Sequence, residues 1–211
     1  IVLYSNGQVQ EALDSVQTLI KALDSYSLNE QVEKGLKDPQ NVKVNNENQL
    51  GSLQEQIKSV IALYSNGQIQ EALDTVKTLI TDYPNEPLFY NISGACYAGL
   101  GQLDTAVKSY EQAIAMKPDY AEAHNNLGVT LQELGQLDTA VKRYQKAVAL
   151  NPNYTEAHNN RGNALKELGQ FDEAVKSYEK AIAIKPDYAE VHYNLGVTFH
   201  ELNQLDAAVK S

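Results

Sequence analysis

Asparagine carries the most regular hydrogen-bonding chemistry in this chain. Asn91, Asn125 and Asn159 stand 34 residues apart, and so do Asn126, Asn160 and Asn194, while Val129, Asn163 and Val197 follow one helical turn after the first column. Each asparagine side chain offers a carbonyl acceptor and an amide donor, so a regular column of them can pair with the backbone of an extended peptide whatever that peptide's side chains are. Asn is also less favourable than Ala in a helix by roughly several tenths of a kcal/mol, which argues against its being mere filler. The plainer alternative, an exposed face copied by duplication, stays open. The expected peptide contacts are Asn91, Asn125, Asn126, Asn159, Asn160, Asn163, Asn194 and Lys166.

Other recurring polar residues have competing explanations. Glu122, Glu156 and Glu190, with Glu133, Glu167 and Glu201, would make the face or its edge acidic and favour a neutral or basic guest. The first three are also explained as helix caps, each three residues after Asp119, Asn153 or Asp187. His124, His158 and His192 recur one per 34 residues, yet stacked helices stand roughly 8–10 Å apart and zinc ligands must converge within about 2.1 Å of one ion. They read as packing residues, and His200 has no second His or Cys near it. Cys96 is the lone cysteine and reads as a small buried side chain. No phosphate loop, strand-turn-helix nucleophile or converging acid–base pair appears, so no catalytic residue, metal or cofactor is expected.

These residues are positioned by a metre. Gly94, Gly128, Gly162 and Gly196 fall in step at 34 residues, as do Ala106, Ala140, Ala174 and Ala208, then Tyr110, Tyr144 and Tyr178, then Pro118, Pro152 and Pro186. Within Ala121–Tyr154 the first half places Ala123, Leu127, Gly128, Leu131 and Leu134 on one helix face. Gly135 stops that helix by entering the left-handed conformation. The second half places Ala140, Val141, Tyr144, Ala147 and Val148 on one face, and Pro152 ends it. Small residues at Gly128, Ala140 and Ala147 allow close approach, with Tyr144 filling the gap. Tyr120, Tyr154 and Tyr188 are expected as wedges between neighbouring hairpins.

The landmarks His124, Leu127-Gly128, Leu131, Ala140, Tyr144, Ala147 and Pro152 resemble the tetratricopeptide pattern, a 34-residue helix-turn-helix. The resemblance implies an all-α, right-handed superhelical solenoid of antiparallel hairpins whose first helices line the concave side. Units are expected at Leu53–Glu86, Pro87–Tyr120, Ala121–Tyr154 and Thr155–Tyr188, with an incomplete Ala189–Ser211. The Leu53 unit departs most, with Val60 at the glycine place and Val76 at the tyrosine place. Asn126, Asn160 and Asn194 resemble the asparagine ladder of O-linked N-acetylglucosamine transferases, broken at Ile92. Of the dicarboxylate clamp of tetratricopeptide cochaperones only Asn163 is present, which disfavours heat-shock chaperone tails. Arg161 stands where Leu127 and Leu195 put leucine, either snorkelling to the groove as a positive spot or marking a weaker repeat.

Residues 1–52 break the metre. Ile1–Ile20 nearly copies Ile61–Ile80 at an offset of 60, Leu28, Val32 and Leu36 fit a short amphipathic helix, and Asp38–Asn48 reads as a polar loop. With a formal net charge of -10 and arginine only at Arg143 and Arg161, nucleic acid is not an expected partner. No apolar run of roughly 18 residues occurs, so no membrane span is expected and a cytoplasmic location is the default. The expected function is a protein-interaction scaffold holding an extended peptide or partner helix in the groove. Two alternatives are a substrate-presenting arm of a larger glycosyl- or sulfotransferase, suggested by the uncapped end at Ser211, and an architectural array that self-associates through its ends or the 1–20 helix.

Overall fold

The computed structural model describes residues 55–209, and all regular structure among them is helical. The chain divides into two compact units, Ile1–Pro84 and Asn85–Ser211. In the first, helix α1 over residues 55–65 turns through Gly67, at φ +79°, into α2 (Ile69–Asp82). Val60 and Val76, which replace the glycine and tyrosine of the other units, are both fully buried. Two medium side chains there stand in for one absent and one large side chain, a volume-conserving exchange. The expectations for Ile1–Ile20, for the helix around Leu28, Val32 and Leu36, and for the Asp38–Asn48 loop lie outside the described residues, as does a boundary at 52–53.

The second unit consists of α3 (Pro87–Gly99), α4 (Leu103–Met116), α5 (Ala121–Glu133), α6 (Leu137–Leu150), α7 (Thr155–Glu167), α8 (Phe171–Ile184) and α9 (Ala189–Val209). Helices pair within a hairpin as α3 with α4, α5 with α6 and α7 with α8, and each second helix packs on the next first helix. First helices of neighbouring hairpins also touch one another, more closely than second helices do. A layer whose members approach each other is the inner layer of a bend, so α3, α5, α7 and α9 line the concave side of this unit.

Two glycine positions per hairpin make this possible. Gly101, Gly135 and Gly169 adopt φ of +73°, +73° and +74°, a conformation that L side chains enter only at a cost. The turn at Gly135 is a Schellman closure: Gln136 N–H donates to the Leu131 carbonyl at 2.8 Å and Gly135 N–H to the Gln132 carbonyl at 2.9 Å. The other glycine sits inside the first helix, where a Cβ on Gly94, Gly128 or Gly162 would lie 2.6, 2.6 or 2.5 Å from a ring carbon of Tyr110, Tyr144 or Tyr178. Each tyrosine ring, 16 residues on, occupies the space the missing side chain vacates. Tyr144 and Tyr178 are fully buried as a result.

One local expectation is corrected. The caps of α5 and α7 are Tyr120 and Tyr154, with no side-chain cap bond. Asp119 and Asn153 sit one residue too early, which moves Glu122 and Glu156 to the second helical position, out of capping-box register. The junction is closed by backbone instead, through Tyr120 N–H to the Lys117 carbonyl and Tyr154 N–H to the Asn151 carbonyl, both at 3.1 Å. Asn203 stands in the register of the turn glycines Gly135 and Gly169, and α9 runs unbroken from Ala189 to Val209. An asparagine pays more than glycine to turn left-handed, and no described non-glycine residue has a positive φ.

Candidate functional site

The inner stripe of the second unit is built from one face each of α3, α5, α7 and α9, and its asparagines bond to one another. Asn126 Nδ2 donates to Asn91 Oδ1 at 3.2 Å, Asn160 Nδ2 to Asn125 Oδ1 at 3.3 Å, and Asn194 Nδ2 to Asn159 Oδ1 at 3.2 Å. The spacing is 35 residues, so the second column of one repeat reaches the first column of the repeat before it. Asn91, Asn125, Asn126, Asn159 and Asn160 are buried and Asn194 is half-buried. The stripe is therefore a set of amide rungs joining adjacent first helices, with Asn91 Nδ2 buried and without a partner at one end.

Carboxylates set the direction of these amides. Asn159 Nδ2 donates to Glu190 Oε1 at 3.1 Å and Gln132 Nε2 to Glu167 Oε1 at 2.5 Å. An ionised carboxylate only accepts, so the nitrogen of each amide must face it and the oxygen must turn the other way. That leaves Asn159 Oδ1 for Asn194 and Gln132 Oε1 for the Tyr144 hydroxyl, which donates to it at 3.0 Å. Asn163 Oδ1 likewise accepts from the Tyr178 hydroxyl at 2.8 Å. Burial raises the Tyr178 phenol above its ordinary range, aided by the charges of Glu201, Glu167 and Glu190 and opposed by a bond with Thr198, so it stays a donor.

Gln132, Glu167, Glu190, Tyr144 and Tyr178 were not expected as members of this network. The missed signal is the 35-residue offset of Gln132 from Glu167, shared with the asparagine rungs. Asn163 and Lys166 remain half-buried on α7, one turn apart, and no ion pair of Lys166 occurs among the described residues. Tyr193 takes the register of Asn125 and Asn159 on α9 and is 72% exposed. Val129 and Val197 are half-buried, as are Glu122, Glu156 and Glu201, whereas Glu133, Glu167 and Glu190 are exposed.

The histidines face the repeat junctions. Nε2 of His124, His158 and His192 lies 3.1, 3.0 and 2.8 Å from the carbonyl oxygens of Pro118, Pro152 and Pro186. Each ring tethers its first helix to the turn before it. Desolvation holds His124 and His158 below the ordinary imidazole range, against the pull of their proline carbonyls, with Arg143 and Lys146 near His124 and Arg161 and Lys180 near His158 adding to the depression. Their Nδ1 atoms are buried with no partner. No group of three or more metal-ligating side chains occurs among the described residues, and His200 is exposed.

Cys96 is fully buried and its thiol is pushed up to about 12 by desolvation, the state of a packing residue rather than a nucleophile. Arg161 is half-buried where Leu127 is wholly buried, and its Nε has no partner. Desolvation lowers its pKa, with the Glu173 carboxylate of α8 opposing. No described helix is long and apolar enough to cross a membrane.

Known proteins share this architecture. The family model for the TPR repeat matches residues 94–135, 131–169 and 162–203, together just over half of the 211 residues. No curated protein matches. Among solved structures, the crystal structure of MamA is 26% identical with a TM-score of 0.63, covering 72% of this chain and 88% of that one. YrrB, described as a TPR protein with an unusual peptide-binding site, is 26% identical with a TM-score of 0.58, covering 70% and 76%. The first TPR of Spaghetti (RPAP3), bound to an HSP90 peptide, is 27% identical with a TM-score of 0.55, covering 56% and 94%.

Proposed function

The chain belongs to the tetratricopeptide repeat family, and from that premise we propose that it is a protein-interaction scaffold whose inner stripe holds an extended peptide segment of a partner. The observation that carries the proposal is the pair Asn163 and Lys166, half-buried and adjacent on the inner face of α7, with donor groups not engaged by the protein itself. The peptide-bound RPAP3 repeat and the peptide-binding site of YrrB support a groove role for the fold. The carboxylates along the stripe favour a neutral or basic guest.

Within this reading the eight side chains divide by burial. Asn91, Asn125, Asn126, Asn159 and Asn160 form the wall, holding adjacent first helices at a fixed spacing, while Asn163, Asn194 and Lys166 touch the guest. A rigid wall lowers the entropic cost of binding, because the groove does not have to be ordered when the peptide arrives. Selection from a random peptide display library tests it. Enriched sequences are expected to bind the purified protein and to lose at least about tenfold in affinity, or about 1.4 kcal/mol, with Asn163→Ala combined with Lys166→Ala. Enriched peptides that bind wild type and variant equally, or no enrichment at all, would overturn the groove assignment.

A further inference from the structure

One turn of this chain carries a residue pair that can react with itself. Ahead of Gly101, Gly135 and Gly169 stand Leu100, Leu134 and Leu168, all half-buried. At the equivalent turn between α1 and α2, Gly67 follows an exposed asparagine, Asn66. It is the one Asn-Gly pair among the described residues. The remaining described asparagines precede larger residues, and Asn91, Asn125, Asn126, Asn159 and Asn160 are buried.

Asparagine is thermolabile because its carboxamide carbon lies within reach of the backbone nitrogen of the next residue, and attack within one chain needs no second molecule to be held in place. A side chain on that next residue crowds the ring closure. Gly67 has none, and nothing lies within 4 Å of where its Cβ would be. The native turn restrains the nitrogen through one bond, Gly67 N–H to the Tyr64 carbonyl at 3.0 Å. That bond sits at the exposed end of a helix, where local opening costs little.

We infer that the α1–α2 turn is a site of spontaneous deamidation. Water or hydroxide takes the Gly67 amide proton, the nitrogen forms a bond to Asn66 Cγ, and the Cγ–Nδ2 bond breaks as ammonia leaves with a proton from water. The product is a succinimide. Water then opens the ring at Cγ to give an aspartyl residue, or at the backbone carbonyl carbon to give an isoaspartyl residue whose chain runs through Cγ. Either product adds a negative charge. The isoaspartyl form also adds a carbon to the main chain just before Gly67, which disturbs the spacing of the Gly67–Tyr64 bond and of the Gln68 N–H bond to the Leu63 carbonyl at 2.9 Å.

Tryptic mass mapping of the full chain, aged at physiological temperature at neutral and at mildly alkaline pH, tests this. Residues 59–77, released by cleavage after Lys58 and Lys77, contain Asn66 as their single asparagine, while the Asn6–Gly7 pair falls in the separate peptide 1–21. Peptide 59–77 is expected to give two products one mass unit heavier, separable by chromatography and placed at Asn66 by fragmentation. They should appear ahead of change at any other described asparagine, and faster at the higher pH. The charge-shifted protein isolated by ion exchange should exchange its Gly67 and Gln68 amide hydrogens faster than fresh protein. Asn66→Leu, which restores the side chain of the other turns, should age with neither change. Earlier conversion of another described asparagine, or a single aspartyl product, would overturn the inference. So would an Asn66 that converts in the urea-unfolded chain and stays intact in the folded one, because the turn would then shield the nitrogen.

Discussion

At the scale of single residues, the histidines couple this fold to pH. His124 and His158 direct Nε2 at a proline carbonyl and bury an Nδ1 that has no partner. The neutral ring with its proton on Nε2 satisfies the carbonyl, whereas a second proton on Nδ1 would point at nothing. Both groups titrate below 6.5 in the folded chain, so the unfolded chain binds more protons in the window below that value. Stability contributed by these rings is therefore present above about pH 6.5 and lost as pH falls toward the folded-state values. Imidazole proton shifts followed by NMR should give midpoints below 6.5 for both residues, and thermal unfolding should move to lower temperature between about pH 7 and pH 5. Midpoints at or above the ordinary value would show that the rings are not desolvated. The packing role of these histidines was legible from their recurrence alone, because one ring per repeat cannot converge on a metal. The asparagine rungs were not legible, because the bonds run at 35 residues while the columns recur at 34. A repeat aligned to itself shows which residues are equivalent, not which neighbours meet across the joint.

At the scale of helices and hairpins, the glycine–tyrosine pair decides whether two helices can close. Gly128→Val would put branched carbons into the Tyr144 ring, where even a Cβ comes within 2.6 Å, and should destabilise by about 3 kcal/mol or more, as overpacking does. Combining it with Tyr144→Val recreates the buried Val60 and Val76 arrangement of the first unit. Urea unfolding of the double variant is expected to recover at least about half of the loss, a coupling typical of residues in contact. If the two effects simply add, the ring and the glycine are not filling one shared space. The turns at Gly135 and Gly169 and the breaks at Pro152 and Pro186 were legible because glycine and proline act through their own backbone. The helix starts were misread at Asp119 and Asn153, since a plausible capping pair one residue out of register does nothing.

At the scale of the whole second unit, each hairpin packs on its neighbours and on little else, so stability is a sum of local terms rather than one global core. A defect should then be felt near where it lies. Arg161 is such a defect: its Nε is buried without a partner in a place where Leu127 is wholly buried. Arg161→Leu should stabilise by about 1–3 kcal/mol, the usual penalty of an unsatisfied buried donor. In hydrogen exchange the gain should appear as slower opening in α7 and α8 and in the helices packed on them, α5, α6 and α9, while local openings of α3 and α4 keep their rates. A uniform slowing through all helices from Pro87 onward would mean that the unit opens as one body, and the independence of its hairpins would have to be abandoned. Loss of stability would mean instead that Glu173, whose carboxylate opposes the desolvation of Arg161, compensates its buried charge in full. That result would turn the substitution in this repeat from a weak point into a site where the charge of Glu173 on α8 offsets a guanidinium on α7.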